Sequence, residues 1–272
     1  MIRLAVSNLA WPTESDSHAF AALAAMGVHG IEVAPTRLGS WDDLTPLRLE
    51  SYRRTLEDSG LVVSSLQAIL FGTTDLSLLG SPKSFDALLA HMRRVTGIAT
   101  ALGAGVLVFG SPRNRLRGDM PADAAWSLAR DRWRELGEVV AAAGVVIGIE
   151  PVPPFYGGDF LTRWADVLRM VQETDHPGIR VHLDTGCVAL GGDAIQDAVT
   201  EAKPWLAHFH AAQPALASFA EPEPNHADAA AALTAAGYDG WIAIEMREQP
   251  DDPLGATATA VRAVQAIYGL SV

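Results

Sequence analysis

The chain has 272 residues, 49% of them hydrophobic, a formal net charge of −12 and one cysteine, Cys187. So much apolar content fills a sizeable core and excludes a disordered chain, while a lone cysteine excludes an intrachain disulfide and a Cys-rich zinc site. The acidity, with no run of Lys and Arg to override it, excludes nucleic acid as the expected partner and points to a small molecule. No apolar run approaches the roughly 20 residues that a membrane helix needs, so no membrane partner is expected. The first residues pass straight into the strand-like Arg3-Leu4-Ala5-Val6-Ser7. Without a basic region and a long apolar stretch they do not read as a signal peptide, and a cytoplasmic protein is expected.

The elements recur in a fixed order. A first strand begins near Arg3. A helix over about 17–26, with Ser15 or Ser17 as its cap, ends at Gly27 ahead of a second strand near Gly30. Glu57-Asp58-Ser59-Gly60 closes the next helical stretch before a third strand near Leu61. A helix over about 84–102 ends at Gly103 before the strand near Ala104, and another over about 122–143 ends at Gly144 before the strand near Val145. Strands six and seven begin near Ile179 and Leu206. Ala235-Ala236-Gly237 then precedes the eighth, near Gly240. Helix, Gly and β-branched run, repeated every roughly 30 to 45 residues, is the signature of consecutive βα units and a parallel sheet. Eight units in this length predict an α/β protein, a single-domain (β/α)₈ TIM barrel over 1–272. An open doubly wound sheet usually has fewer strands and often a Gly-rich phosphate loop; neither G-x-G-x-x-G nor a P-loop follows any strand here.

In such a barrel the functional groups come from the C-terminal ends of the strands. Strand five reads Val145-Val146-Ile147-Gly148-Ile149-Glu150 and strand six Ile179-Arg180-Val181-His182-Leu183-Asp184. Strand seven reads Leu206-Ala207-His208-Phe209-His210 and strand eight Trp241-Ile242-Ala243-Ile244-Glu245. Any one of these terminal residues is ordinary for a rim. Together, Glu150, Asp184, His210 and Glu245 offer three carboxylates and one imidazole, which neutralise a hard or borderline divalent cation and leave positions open. One such ion is expected as cofactor. Because side chains alternate along a strand, His182 and His208 fall one layer beneath Asp184 and His210 and are expected to support the site. Asn8, Trp11, Gln67, Phe71, Ser111, Arg113, Arg115, Tyr156, Cys187 and Arg247 fall at or near the other strand ends and are candidates for the substrate pocket. Arg113 and Arg115 could clamp a phosphate or carboxylate. Glu32, on strand two, has no evident partner and reads as structural.

Four segments carry a family resemblance: Gly148-Ile149-Glu150-Pro151, His182-Leu183-Asp184-Thr185-Gly186, His208-Phe209-His210, and Gly237-Tyr238-Asp239-Gly240-Trp241-Ile242-Ala243-Ile244-Glu245. They resemble the xylose-isomerase-like TIM barrels, and within them the sugar phosphate isomerase/epimerase family. The resemblance implies that Glu150, Asp184, His210 and Glu245 hold a divalent ion, Mn²⁺ first, with Mg²⁺, Co²⁺ and Zn²⁺ as alternatives, and that Glu150 and Glu245 also move protons. The chain departs from the ketose 3-epimerases at three places: Cys187 stands where they usually carry a His, Pro151-Val152-Pro153-Pro154-Phe155-Tyr156 lacks their second Glu, and Ala211-Ala212-Gln213-Pro214-Ala215-Leu216 lacks their Arg. These departures point away from a free ketohexose. The related AP endonuclease IV branch needs further His ligands, which Val33-Ala34 and Leu66-Gln67 do not supply.

The expected function is a metal-dependent isomerase or epimerase of a small sugar or sugar-derived hydroxy-carbonyl compound. A metal-dependent dehydratase, a metal-assisted phosphoester hydrolase and a non-catalytic ligand-binding barrel are the alternatives. The sequence leaves a homo-oligomer open. Cys187 is expected to pack or line the pocket rather than act as a nucleophile, since the nearby acids are assigned to metal.

Overall fold

A computed structural model describes residues 1–270; the expected domain span also includes residues 271 and 272, which lie outside the described residues. The strands are β1 (Arg3–Ser7), β2 (Gly30–Val33), β3 (Val62–Leu66), β4 (Val106–Phe109), β5 (Val146–Ile149), β6 (Ile179–Asp184), β7 (Leu206–Ala212) and β8 (Trp241–Glu245). They form a closed barrel in chain order. Every pairing is parallel, and β1 closes the ring against β8. The predicted (β/α)₈ barrel is therefore the observed one. Helices α1 (Asp16–Ala25), α2 (Pro46–Asp58), α3 (Pro82–Leu102), α4 (Ala122–Ala141), α5 (Trp164–Thr174), α6 (Thr185–Leu190), α7 (Ile195–Ala202), α8 (Asn225–Ala236) and α9 (Pro253–Tyr268) connect and surround the strands. No described helix is long and apolar enough to cross a membrane.

Local chemistry sets the boundaries. The helix expected from about 84 starts two residues earlier because Ser81 accepts from the Ser84 N–H and Pro82 occupies the first turn. It stops at Gly103, whose φ of 80° is the left-handed cap conformation. Between these ends Phe85, Leu88, Leu89, Met92, Val95, Ile98, Ala99 and Leu102 recur at helical spacing and are all buried. That stripe is what holds α3 against the sheet.

Barrel interiors of this kind are usually packed with branched aliphatic side chains. Here one interior layer is polar: Glu32, Ser65, His182 and His208 are each 0% exposed. The strand register slips by one residue between Ile31 and Glu32 and again between Val181 and His182. Both slips fall at this layer, where β3 and β7 each carry one extra residue, Ser64 and Ala207, against the neighbouring strand.

Candidate functional site

The four strand-end residues converge. One ligand atom from each of Glu150, Asp184, His210 and Glu245 lies within 4.8 Å of all the others. Asp184 and Glu245 end β6 and β8, His210 lies in β7, and Glu150 is the first residue after β5. Asp184 also caps α6: its Oδ1 accepts from the Cys187 N–H at 2.6 Å, which turns Oδ2 toward His210. His210 Nδ1 stands 3.5 Å from that oxygen and 3.2 Å from Glu245 Oε2.

The set suits a divalent cation. Asp184 Oδ2 and His210 Nδ1 are buried without a hydrogen-bond partner among the described residues, an expensive arrangement unless something else occupies their lone pairs. Burial first, and then repulsion from Asp184 and Glu245, push the Glu150 carboxyl up to about 8. Burial also raises Glu245, against the pull of His210. A bound cation offsets both the burial penalty and the repulsion, and three oxygens with one imidazole nitrogen suit a hard or borderline ion.

Beneath this set lies its support. Glu32 accepts from His208 Nε2 at 2.8 Å, and its two oxygens stand 2.8 and 3.0 Å from His210 Nε2. Ser65 Oγ donates to the same carboxylate at 2.7 Å. Burial works against charge on all three groups. For Glu32, the two imidazoles more than offset it and hold the carboxyl well below its usual range. For His210, Glu32 and Glu245 more than offset it and hold the imidazole well above its usual range. With Nε2–H on Glu32, the nitrogen left to face the ligand set is Nδ1, the pattern by which a carboxylate fixes the tautomer of a metal-binding histidine. The structural reading of Glu32 stands, and its partners are two histidines of β7 that no local sequence pattern ties to it.

His182, His208 and His210 also lie close enough together to hold an ion. Since Glu32 already occupies Nε2 of two of them, the trio serves the upper set rather than a second one. His182 stacks on His208 with ring centroids 5.3 Å apart. Its Nε2 is 3.9 Å from Glu150 Oε1. Burial, then the neighbouring His210 and His208, keep it neutral, with its pKa well below the usual value.

The remaining candidates divide. Glu150, Glu245, Gln67, Phe71 and Ser111 line one cavity of about 240 Å³ at the barrel mouth. Cys187 Sγ approaches Glu150 Oε1 at 3.8 Å, and burial, then Asp184 and Glu150, raise its pKa well above normal, so it is a thiol rather than a thiolate. Tyr156 is half-buried, its phenol pKa raised by burial and then by Cys187 and Asp184 nearby. Asn8 is buried and accepts from the Ala34 N–H. Trp11 is wholly buried, donates to Asp16 and packs on Phe20, away from the cavity. Arg115 is buried, and its guanidinium holds the Glu150 carbonyl oxygen at 2.5 Å. It positions that residue instead of clamping an anion. Arg113 and Arg247 are exposed and outside the cavity lining. One further residue carries no side chain to read: a Cβ on Gly110 would collide with Glu150 Oε2, so only glycine leaves that carboxylate its place.

Residues 20–267 match the xylose isomerase-like TIM barrel family, and the chain belongs to that family. No curated protein matches the sequence significantly. Among solved structures, the apo 3-keto-D-glucoside 4-epimerase of E. coli is similar with a TM-score of 0.81 and 18% identity, covering 98% of this chain and 100% of the other. The D-psicose 3-epimerase of Clostridium cellulolyticum H10, solved with D-tagatose, has a TM-score of 0.79 and 15% identity, covering 99% and 98%. An L-ribulose 3-epimerase has a TM-score of 0.78 and 20% identity, covering 99% and 94%. At these identities the likeness is one of fold.

Proposed function

We propose that this protein is a divalent-metal-dependent isomerase or epimerase of a small sugar or sugar-derived hydroxy-carbonyl compound. The observation that carries the reading is the pair Glu150 and Glu245, which belong to the cation-binding set and also line the cavity where a substrate would sit. The epimerases among the structural neighbours support it as analogy only.

When bound, the ion supplies positive charge that stabilises negative charge developing on the substrate's oxygens. The protein supplies the proton movements. Glu245 turns Oε2 to His210, which leaves Oε1 for substrate. Glu150 places Oε2 against Gly110, on the cavity wall, and Oε1 toward Cys187 and His182. One of the two carboxylates takes the proton from the carbon next to the carbonyl. The other starts protonated and gives its own proton, to the opposite face of that carbon in an epimerisation or to the neighbouring carbon in an isomerisation; the first ends protonated, and exchange with solvent resets the pair. Arg115, on the Glu150 carbonyl, and Gly110, beside its carboxylate, fix the position of the first. Asp184 and His210 hold the ion and move no proton.

Mn²⁺-loaded protein incubated in D₂O with a panel of ketoses, sugar phosphates and keto acids tests the reading. At least one compound exchanges its α-hydrogen for deuterium in a metal-dependent way. Turnover of any panel member without solvent exchange replaces proton transfer with a hydride-shift or hydrolytic mechanism.

A further inference from the structure

We propose that the substrate is uncharged away from its hydroxy-carbonyl head and carries an apolar body there, an aryl or alkyl group rather than a phosphate or a chain of free hydroxyls. This rests on the proposed function, which puts the head between Glu150 and Glu245. The cavity continues from those two carboxylates onto a wall made by Leu9, Ile69, Leu70, Phe71 and Val108.

The backbone carbonyls of that wall are already in use. Ala68 O accepts from the Phe71 N–H at 2.9 Å, and Ile69 O pairs with His91 Nε2 at 2.8 Å. Leu70 O accepts from Thr73 Oγ1 at 2.7 Å, and Phe71 O from Trp41 Nε1 at 2.9 Å. The polar side chains are engaged too. Gln67 donates to Ser7, and Ser111 gives its hydroxyl proton to Asn114 at 2.6 Å. Sugar hydroxyls pressed against the side chains of Leu9, Ile69, Leu70, Phe71 and Val108 would leave water without partners on those side chains, at a cost for each. A hydrocarbon loses nothing there and gains by leaving water.

Charge gives the same answer. No Lys or Arg is among the described residues that line the cavity. Arg115, the nearest buried cation, is committed to the Glu150 carbonyl. The charged groups in the lining, Glu150 and Glu245, are acidic and repel a phosphate or carboxylate. Phe71, finally, is 69% exposed at the rim although Trp41 pins its backbone. An exposed aromatic side chain on an anchored backbone beside the cavity is a platform for a flat or apolar group.

Three ketones with the same head separate the possibilities: hydroxyacetone, 2-hydroxyacetophenone and dihydroxyacetone phosphate. Each is titrated calorimetrically into Mn²⁺-loaded full-length protein at fixed free Mn²⁺. The phenyl ketone binds about tenfold or more tighter than hydroxyacetone, as burial of most of a ring requires, and the phosphate binds no tighter than hydroxyacetone. Phe71→Ala brings the phenyl-to-methyl ratio to within about threefold. Wild-type affinities for the two neutral ketones within about threefold of each other, or the phosphate as the tightest ligand, overturn the inference. Deuterium exchange at the carbinol carbon reads the underlying reaction separately. Tight phenyl binding with no exchange in any ketone keeps the apolar subsite and removes the proton-transfer reading. Exchange with equal affinities does the reverse.

Discussion

Glu32→Gln is the sharpest test of how the cation site is built. The side chain is 0% exposed and touches none of the proposed substrate groups, so its effect must pass through His210 and His208. Three contacts of 2.8 to 3.0 Å join its carboxylate to the two Nε2 atoms. Glutamine keeps the shape but offers one oxygen, and its NH₂ must then face a donor. One imidazole loses its acceptor, and the negative charge that favours Nδ1 as the ligand atom of His210 disappears. Loss of such a supporting carboxylate weakens a metal site by roughly 10- to 100-fold, or about 1.4 to 2.7 kcal/mol. Breaking a buried charged pair also destabilises the fold, by about 3 to 5 kcal/mol at the outside. Affinity should therefore be measured well below the melting temperature, by Mn²⁺ titration against a competing chelator, with circular dichroism confirming the barrel. An affinity within about threefold of wild type in a folded variant, well short of the 10-fold minimum, would refute the argument.

The site makes further predictions. Glu150→Gln and Glu245→Gln each lower turnover by roughly 10²-fold or more at saturating metal, because the amide keeps one ligand oxygen and removes the base; near-normal deuterium exchange in either fully metallated variant would make that residue a ligand only. Gly110→Ala displaces the Glu150 carboxylate and lowers metal affinity and turnover together while leaving the thermal melt close to wild type, whereas a variant that loses only stability would show that the contact is mere packing. Cys187→Ser keeps metal binding and most activity, since its raised pKa leaves no thiolate to attack; complete inactivation with metal still bound would reverse that assignment. Metal binding tightens with rising pH, approaching about tenfold per unit for the Glu150 proton well below pH 8, because Glu150, held at about 8, and His210, held above its usual range, both release protons to the incoming ion. The sign for stability is opposite in the metal-free protein. The unfolded chain releases the Glu150 proton near its ordinary value of 4.5 while the folded chain keeps it to about 8. Buried His182, His208 and His226, held neutral, contribute the opposite slope below about pH 7, where the unfolded chain still protonates them; from about pH 7 to 8, melts in chelator should therefore fall as pH rises, and a rise there would contradict the assignment.

The fold was legible because its punctuation is local. Gly27, Gly60, Gly103, Gly144 and Gly237 all have positive φ in the structure, and each stands shortly before a barrel strand. Strand ends were equally readable: the rule that function gathers at the C-terminal rim picked out Glu150, Asp184, His210 and Glu245, and the structure brings them together. Reading failed where the partner is distant. Glu32 meets His208 across a separation of 176 residues, through the middle of the barrel. Arg115 looked like a rim cation because it follows strand four, yet it folds inward onto the Glu150 carbonyl. Trp11 follows strand one but packs on Phe20 of α1. A sequence shows that a residue lies just past a strand; which side of the loop it takes depends on packing partners far along the chain.

The polar layer beneath the site explains why the barrel tolerates an unusual interior. Branched aliphatic residues at Glu32, Ser65, His182 and His208 would pack more favourably, since burying polar groups costs free energy even when they are paired. Several atoms here are not paired: both His182 nitrogens and His208 Nδ1 lack partners among the described residues. That cost has a counterpart in the upper layer, where His210 must present one particular nitrogen to the ion and the carboxylates must tolerate one another. An aliphatic layer would leave His210 free to turn and to choose its tautomer. The Glu32 carboxylate removes both freedoms from below, and neutral His182 fills the space beneath Glu150 without adding a charge to the set above it. If that is its role, His182→Phe, which fills the space but offers no nitrogen, keeps metal affinity within about threefold of wild type. A residue that ligates or relays charge would instead show the 10- to 100-fold loss expected of Glu32→Gln. A loss of that size for His182→Phe, in a folded variant, would show that His182 acts through its nitrogens and not through its bulk.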